Sequence, residues 1–341
     1  MSAYYNIAVA GATGAVGQEF VRLLAEREFP LASLRLLASE RSVGRKIPFR
    51  DTTIEVELLE PGSFRGCDIA FFSAGASRSR AFGPAAVEAG AVVIDNSSAF
   101  RMDPAVPLVI PEVNAGDLVD HGGIIANPNC STIIAMTAVA PLRSLRPIRR
   151  LVISTYQAAS GAGAQAMEEL RQQARAVLDG DPITPEVFPH PIAFNLFSHN
   201  SPVGSDGYNE EERKMILESR KILNDPTLKI TATCIRVPIF RAHAESINVE
   251  FEYPRPNLTS VRECLYHAPG VELVDDVEHN RFPMPLEATG RDDVLVGRIR
   301  EDQSRENAIE MFVCGDQLLK GAALNGFQIA KALIESKHLG S

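Results

Sequence analysis

Residues 5–30 constrain the fold most. The run YNIAVA is β-type, GATGAVG is a turn with glycines at 11, 14 and 17, and Val16, Phe20, Leu23 and Leu24 then recur at helical spacing until Pro30. A strand, a glycine turn and a helix in that order open a parallel α/β sheet. Short, nearly all-apolar runs follow: LRLLAS (34–39), DIAFFSA (68–74), AVVIDNS (91–97), PLVIPEV (107–113) and GGIIANP (122–128). Strands buried on both faces read this way, without polar alternation. The first third of the chain is therefore expected to form a doubly wound sheet.

After Cys130 the texture changes. STIIAMTAVAPLRSL reads as a helix closing the first domain, and RRLVISTYQAASGAGAQAMEELRQQARAVL as a strand, a glycine-rich turn and a long helix. LKITATCIRVPIF, ESINVEFEY, VLVGRIR and AIEMFVC are strand-like, EEERKMILESRKIL is helical, and DQLLKGAALNGFQIAKALIESK reads as an amphipathic helix that returns to the first domain. With 341 residues, 45% of them hydrophobic, the chain is long enough for two cores. The expected architecture is α/β: a Rossmann-like doubly wound parallel sheet domain, 1–131 completed by helix 318–341, plus an α+β catalytic and dimerisation domain, 132–317.

Charge and cysteine usage exclude several classes of function. The net charge is −9 and the 34 Lys and Arg are scattered, so neither nucleic acid nor an anionic membrane is expected as a partner. Cys67, Cys130, Cys234, Cys264 and Cys314 are odd in number and contain no C-x-x-C pair, which argues against a disulfide framework and against a metal site. The N-terminal residues run straight into a strand, with no basic segment followed by a long apolar one, so no signal peptide or membrane span is expected. A cytoplasmic protein acting on a small molecule is the resulting expectation.

The glycine turn between a strand and a helix start suits a pyrophosphate, which needs close backbone approach and free helix N–H groups. Its G-x-x-G-x-x-G spacing departs from the common G-x-G-x-x-G, so a ligand-free turn stays open. In LLASERSVGRK, Ser39, Arg41 and Ser42 suit a ribose 2′-phosphate and favour NADP, while Glu40 leaves NAD open. Cys130 follows N-P-N and opens a helix, where dipole and free N–H groups lower a thiol's pKa. The other four cysteines lie in or beside apolar runs and read as small core residues.

At this point the chain resembles the aspartate-semialdehyde dehydrogenases, in their shorter bacterial branch. GATGAVGQEF, FFSAGASRS, VIDNSSAFRMDPAVPLVIPEVN, NPNCSTI, STYQAASGAG, PIAFN, GYNEEERKM, ATCIRVPIFRAHAESINVEF and DQLLKGAALN look like that family's blocks, in its order. The loop LFSHNSPVGSDGYN, 196–209, departs from the pattern. The resemblance implies reversible reduction of L-aspartyl 4-phosphate by NADPH to L-aspartate 4-semialdehyde and phosphate, in lysine, threonine, methionine and diaminopimelate biosynthesis. It also implies a homodimer, with a tetramer as the other option.

Each implied role can be checked against residue chemistry. Cys130 would form a thioester, and His243 suits both the poised thiol and the proton acceptor that collapse of the adduct needs. His121, His267, His279 and His338 match no such block. Arg236 is suited to a carboxylate and Arg101 with Lys214 to phosphate. Glu211, three residues before Lys214, would face the same side of a helix and bind the substrate ammonium, although without the family EEERK reads as a solvated helix face. Gln157 would orient the acyl group, and Asn129 with the Cys130 N–H would serve as oxyanion donors. Gly11, Thr13, Gly14, Ala15, Val16, Arg41, Ser42, Ser73, Gly75, Ser160, Gly161 and Gln317 would contact the cofactor, with Asn325 a weaker candidate.

Three other readings compete. An N-acetyl-gamma-glutamyl-phosphate reductase would be expected to carry a GCYPT-like nucleophile block instead of NPNCST. An acyl-CoA reductase such as malonyl-CoA reductase would not need the Arg101 and Lys214 pair in the same way. A non-catalytic dinucleotide-binding relative would have lost Cys130.

Overall fold

The computed structural model describes residues 4–336, which form two compact units, 4–129 with 322–336 and 130–321. Residues 337–341 of the expected C-terminal helix, His338 among them, lie outside the described residues. Among the described residues, no helix is long and apolar enough to cross a membrane.

The first unit runs β1 (Tyr5–Ala10), α1 (Ala15–Glu26), β2 (Leu31–Ala38), β3 (Lys46–Phe49), β4 (Thr52–Leu58), β5 (Ile69–Phe72), α2 (Ala76–Glu88), β6 (Val92–Asp95), the single turn α3 (Pro111–Asn114) and β7 (Ile124–Ala126). Its sheet has the order β3-β4-β2-β1-β5-β6-β7 and is parallel except for β3, which pairs antiparallel with β4. β5 and β6 are buried at every position, as their apolar residues require, and the Asp95 that ends β6 is held by the Ser79 and Ser97 hydroxyls.

Two features differ from the sequence expectation. PLVIPEV makes no strand: Leu108 forms one bridge with Ala126, and Pro111 starts α3. Neither Pro107 nor Pro111 has an N–H for a ladder, and proline's fixed φ suits the first helical position. The β3–β4 edge pair was not anticipated, because Pro48 and the exposed Glu55 and Glu57 give it the polar character of a protected sheet edge.

The second unit runs α4 (Cys130–Val139), β8 (Ile148–Gln157), α5 (Ala164–Asp179), β9 (Phe197–Ser198), α6 (Glu210–Ile222), β10 (Lys229–Arg236), β11 (His243–Phe251), α7 (Leu258–Tyr266), β12 (Val271–Leu273), α8 (Pro285–Ala288), β13 (Val294–Glu301) and β14 (Ala308–Gly315). Its mixed sheet has the order β12-β13-β14-β11-β8-β10-β9. α4 does not close the first unit as expected. Every residue from Ser131 to Val139 is buried, and the helix packs on β11, β13, β14 and α6. A helix apolar all round is an interior helix, and here it is the centre of the second unit.

The register of this sheet positions the chemistry. Arg236 of β10 pairs with Gln157 of β8, and Ala244 of β11 pairs with Tyr156, which sets His243 opposite Gln157. Arg236, Gln157 and His243 therefore project from one face, in a row across three neighbouring strands. On the opposite face Val152, Ser154, Tyr156, Ser246, Asn248, Glu310 and Phe312 all remain partly exposed.

After a π-helical turn at Leu319–Ala323, α9 (Leu324–Ser336) packs against α1 and β6 of the first unit. The expected amphipathic pattern is weaker than it reads, since Leu324–Phe327, Ile329, Ala330 and Leu333 are all buried. Phe327 meets Phe29 at 5.4 Å between ring centroids, and Phe20 stacks on Phe71 at 4.5 Å. Burial of side chains this size contributes about 1.5–3 kcal/mol each.

Candidate active site

Cys130 is the first residue of α4, and its Sγ lies 3.5 Å from His243 Nε2. His243 is fully buried at the start of β11, and the Ala158 N–H donates to its Nδ1 at 3.0 Å. A backbone N–H can only donate, so the neutral ring carries its own proton on Nε2, facing the sulfur. The proton acceptor expected from the sequence thus stands in the resting site as a hydrogen-bond donor. Burial, reinforced by the Arg236 guanidinium, pushes the His243 pKa down to about 3 against the pull of Glu211. Arg236 and Cys130 also act on each other electrostatically, which favours the thiolate.

The rest of the row is held tightly. Gln157, 1% exposed, donates through Nε2 to Ser131 Oγ at 2.7 Å and to Glu211 Oε1 at 3.1 Å. The carboxylate fixes which end of the amide is nitrogen, and Gln157 Oε1 is left buried without a partner among the described residues. Arg236, 3% exposed, donates through Nη1 to Ala158 O at 2.8 Å, and its guanidinium lies over the Phe188 ring at 5.5 Å from the centroid. Its Nε has no partner among the described residues. Glu211 Oε2 also receives Lys214 Nζ at 3.3 Å, so the two share a side of α6 as the i,i+3 spacing requires.

Glycines make room for the thiol. A Cβ on Gly321 would stand 3.0 Å from Cys130 Cβ, and one on Gly161 would stand 2.9 Å from Arg236 Nη1 and 3.3 Å from His243 Nε2. The π-helical turn carries Gly321, whose N–H reaches back to Asp316 O at 3.0 Å; such turns recur at functional sites. Ser160 Oγ receives Gln317 Nε2, while Gln317 Oε1 takes the Ala242 N–H at 2.8 Å.

The other sequence candidates lie in the first unit. Gly11 has φ +88, and a Cβ there would meet Ser73 O at 2.4 Å, so only glycine lets β1 turn this close to the end of β5. Gly14 caps α1 without a side-chain hydrogen bond, which leaves the N–H groups of Ala15 and Val16 at a helix start with no side-chain cap. Thr13 Oγ1 and Ser42 Oγ are 3.5 Å apart, and Arg41 is exposed in the turn after β2. Gly75 caps α2 with φ +88. This open backbone cradle fits a dinucleotide pyrophosphate. Arg101 is buried and donates to Asn127 O at 2.9 Å and Asn96 O at 3.0 Å. Asn129 is buried, at 6% exposed, immediately before the thiol in sequence. Asn325 is fully buried and spends its amide nitrogen on Val109 O and Asn127 Oδ1, a structural use.

The sequence reading missed His199 and Phe188, which both touch the Arg236 guanidinium. A histidine inside the 196–209 loop was the available signal for the first. For Phe188 there was none. Burial pushes the Cys67, Cys234 and Cys314 thiols up, as inert core cysteines require.

Comparison with known proteins finds relatives along the whole chain. Residues 6–121 match the family described as semialdehyde dehydrogenase, NAD binding domain, and residues 139–320 match semialdehyde dehydrogenase, dimerisation domain. The aspartate-semialdehyde dehydrogenase of Synechocystis sp. is 52% identical over 330 residues, covering 97% of each chain. The structure of aspartate semialdehyde dehydrogenase II from Vibrio cholerae complexed with ASA superposes with a TM-score of 0.95 at 42% identity, over 98% of this chain and 99% of that one. A Candida albicans aspartate semialdehyde dehydrogenase with NADP gives 0.77 at 28% identity, over 99% and 100%. Likeness of this order along the whole length, in sequence and in fold, places the chain in the aspartate-semialdehyde dehydrogenase family.

Proposed function

We propose that the chain catalyses the reversible NADP-dependent reductive dephosphorylation of L-aspartyl 4-phosphate to L-aspartate 4-semialdehyde, through a thioester on Cys130. The observation that carries this reading is the Cys130–His243 contact at 3.5 Å, set beside the row of Arg236, Gln157 and His243. The thiolate attacks the acyl carbon and breaks its bond to the phosphate oxygen, and the phosphate takes up a solvent proton as it leaves. NADPH, when bound, supplies the hydride that reduces the thioester carbon. His243 Nε2–H donates to the thiolate and to the oxyanion that forms beside it. Collapse of the adduct returns aldehyde and thiolate, so the sulfur need not exchange a proton in the cycle.

The remaining groups sort by charge. Arg236, with an unpartnered Nε–H, receives the α-carboxylate, and Glu211 receives the ammonium. Gln157 Oε1 offers one acceptor to a donor on the substrate. Lys214 and Arg101 serve the phosphate, with Asn129 and the Cys130 N–H as further oxyanion donors. Gly11, Thr13, Gly14, Ala15, Val16, Ser73, Gly75, Ser160, Gly161 and Gln317 hold the dinucleotide. Arg41 and Ser42 select its 2′-phosphate, because the turn after β2 puts a cation and a hydroxyl where NAD enzymes place a carboxylate.

We further infer a homodimer formed on the open face of the second sheet. The partly exposed Val152, Tyr156 and Phe312 give that face an apolar centre, with Ser154, Ser246, Asn248 and Glu310 as polar neighbours. Five free cysteines support a reducing, cytoplasmic location. The test of the activity is direct. Semialdehyde, phosphate and NADP should give reduced nicotinamide, while N-acetylglutamate semialdehyde or NAD should be poor replacements. Preference for the acetylated aldehyde would overturn the substrate assignment.

A further inference from the structure

His199 lies in the 196–209 loop, one residue past β9. Its backbone N–H is tied to Cys234 O of β10 at 2.8 Å, and its Nε2 lies 2.9 Å from Arg236 Nη2. A guanidinium has no acceptor, so Nε2 must be the bare nitrogen of the ring. Two groups of Ser201 face Nδ1, the hydroxyl at 3.1 Å and the backbone N–H at 3.2 Å. The charged partner at Nε2 decides between them. Nδ1 then carries the proton and the hydroxyl accepts it; the Ser201 N–H at 3.2 Å cannot also donate to that nitrogen and is given up for the charge-assisted bond to Arg236, the stronger contact. Burial, helped by the Arg236 and Lys214 charges and opposed by Glu211, pushes the His199 pKa down to about 4, which keeps the ring a neutral acceptor.

We propose that His199 is a positioning residue of the carboxylate site, whose bare Nε2 fixes the guanidinium plane of Arg236. Ala158 O holds Nη1 and the Phe188 ring supports one face, so His199 supplies the remaining in-plane restraint. With it in place, Nε–H is presented without a partner for the incoming carboxylate. Without it the guanidinium can swing about its last bonds, and a planar two-point contact is lost before the charge is. The inference rests on the reading of Arg236 as the α-carboxylate ligand.

The test compares His199→Leu, which has no acceptor, with His199→Gln, whose amide oxygen can replace Nε2. Wild-type turnover of semialdehyde, phosphate and NADP is measured first, and its absence would overturn the proposed activity and this inference with it. Given turnover, His199→Leu should raise the semialdehyde KM by roughly 10–100-fold, the range for losing a hydrogen bond to a charged group. The phosphate KM should stay within about twofold, and His199→Gln should recover most of the loss. In the Arg236→Lys background, His199→Leu should add little, since the geometry it protects is already gone. If His199→Leu does not fold, His199→Asn, too short to reach Nη2, takes its place. An unchanged semialdehyde KM, or equal rises for both anions with no rescue by Gln, would overturn the assignment while leaving the activity standing.

Discussion

Cys130 Sγ and His243 Nε2 face each other across 3.5 Å, with the ring proton held on the sulfur side by the Ala158 N–H behind it. If the thiolate is the nucleophile, Cys130→Ser should keep the fold and the binding of NADPH, read from the cofactor's own fluorescence. Turnover should fall by about three orders of magnitude or more, because a serine alkoxide is far scarcer at neutral pH than a thiolate at a helix start. Near-normal turnover would remove the covalent mechanism.

The same contact predicts how His243 responds to substitution. A ring that donates a hydrogen bond is partly replaced by an amide, whereas a ring that shuttles protons is not. His243→Gln should therefore retain more kcat than His243→Ala, by about tenfold or more, while Ala loses roughly 10²–10³ as for a deleted oxyanion donor. Equal losses in the two variants would favour a proton shuttle.

The turn after β2 is tested by cofactor choice. Arg41 is exposed there, so Arg41→Ala should leave stability unchanged and raise the NADP KM by roughly tenfold, with little change for NAD. An equal effect on both cofactors would leave no contact to the 2′-phosphate.

The two ends of the substrate should separate. Arg236→Lys keeps a charge and loses the fork, so the semialdehyde KM should rise and kcat should fall. Lys214→Ala should chiefly raise the phosphate KM, with arsenate as a second oxyanion for comparison. A reversed pattern would exchange the two assignments.

Much of this was legible because it is written locally. The strand, glycine turn and helix at residues 5–26 carry their own periodicity, and an N-P-N-C turn before an apolar run marks the thiol without any tertiary knowledge. What escaped depends on distant pairing. No spacing in the sequence sets Arg236, Gln157 and His243 in one row, since β10 and β11 each find β8 from afar. α4 read as a closing helix because an all-apolar pattern does not say which neighbours bury it. His199 and Phe188 sit in a long connection whose shape is set by side chains of α5: Glu169 takes the Glu186 N–H at 2.9 Å, and Gln173 takes that of Ile192 at 2.8 Å.

Stability against pH should show two opposed contributions from titratable groups of the second unit. His243 and His199 bind a proton in the folded chain only near pH 3 and 4, against an ordinary value of 6.5. Between those limits the unfolded chain holds more protons, so their contribution is present above about pH 6.5 and lost as pH falls. Glu245 acts in the other sense: burial, with no partner for either oxygen among the described residues, raises its pKa well above the usual carboxyl value. The folded chain then holds the extra proton, so stability is full below about pH 4.5 and declines as pH rises. Glu245→Gln keeps the shape and removes the ionisation. Its urea midpoint, followed by circular dichroism because the chain has no tryptophan, should exceed that of the wild type at pH 8 and match it near pH 5. His199→Gln should flatten the acid side alone. If Glu245→Gln were less stable than the wild type at pH 8, the carboxyl would have a partner that its ionised form needs.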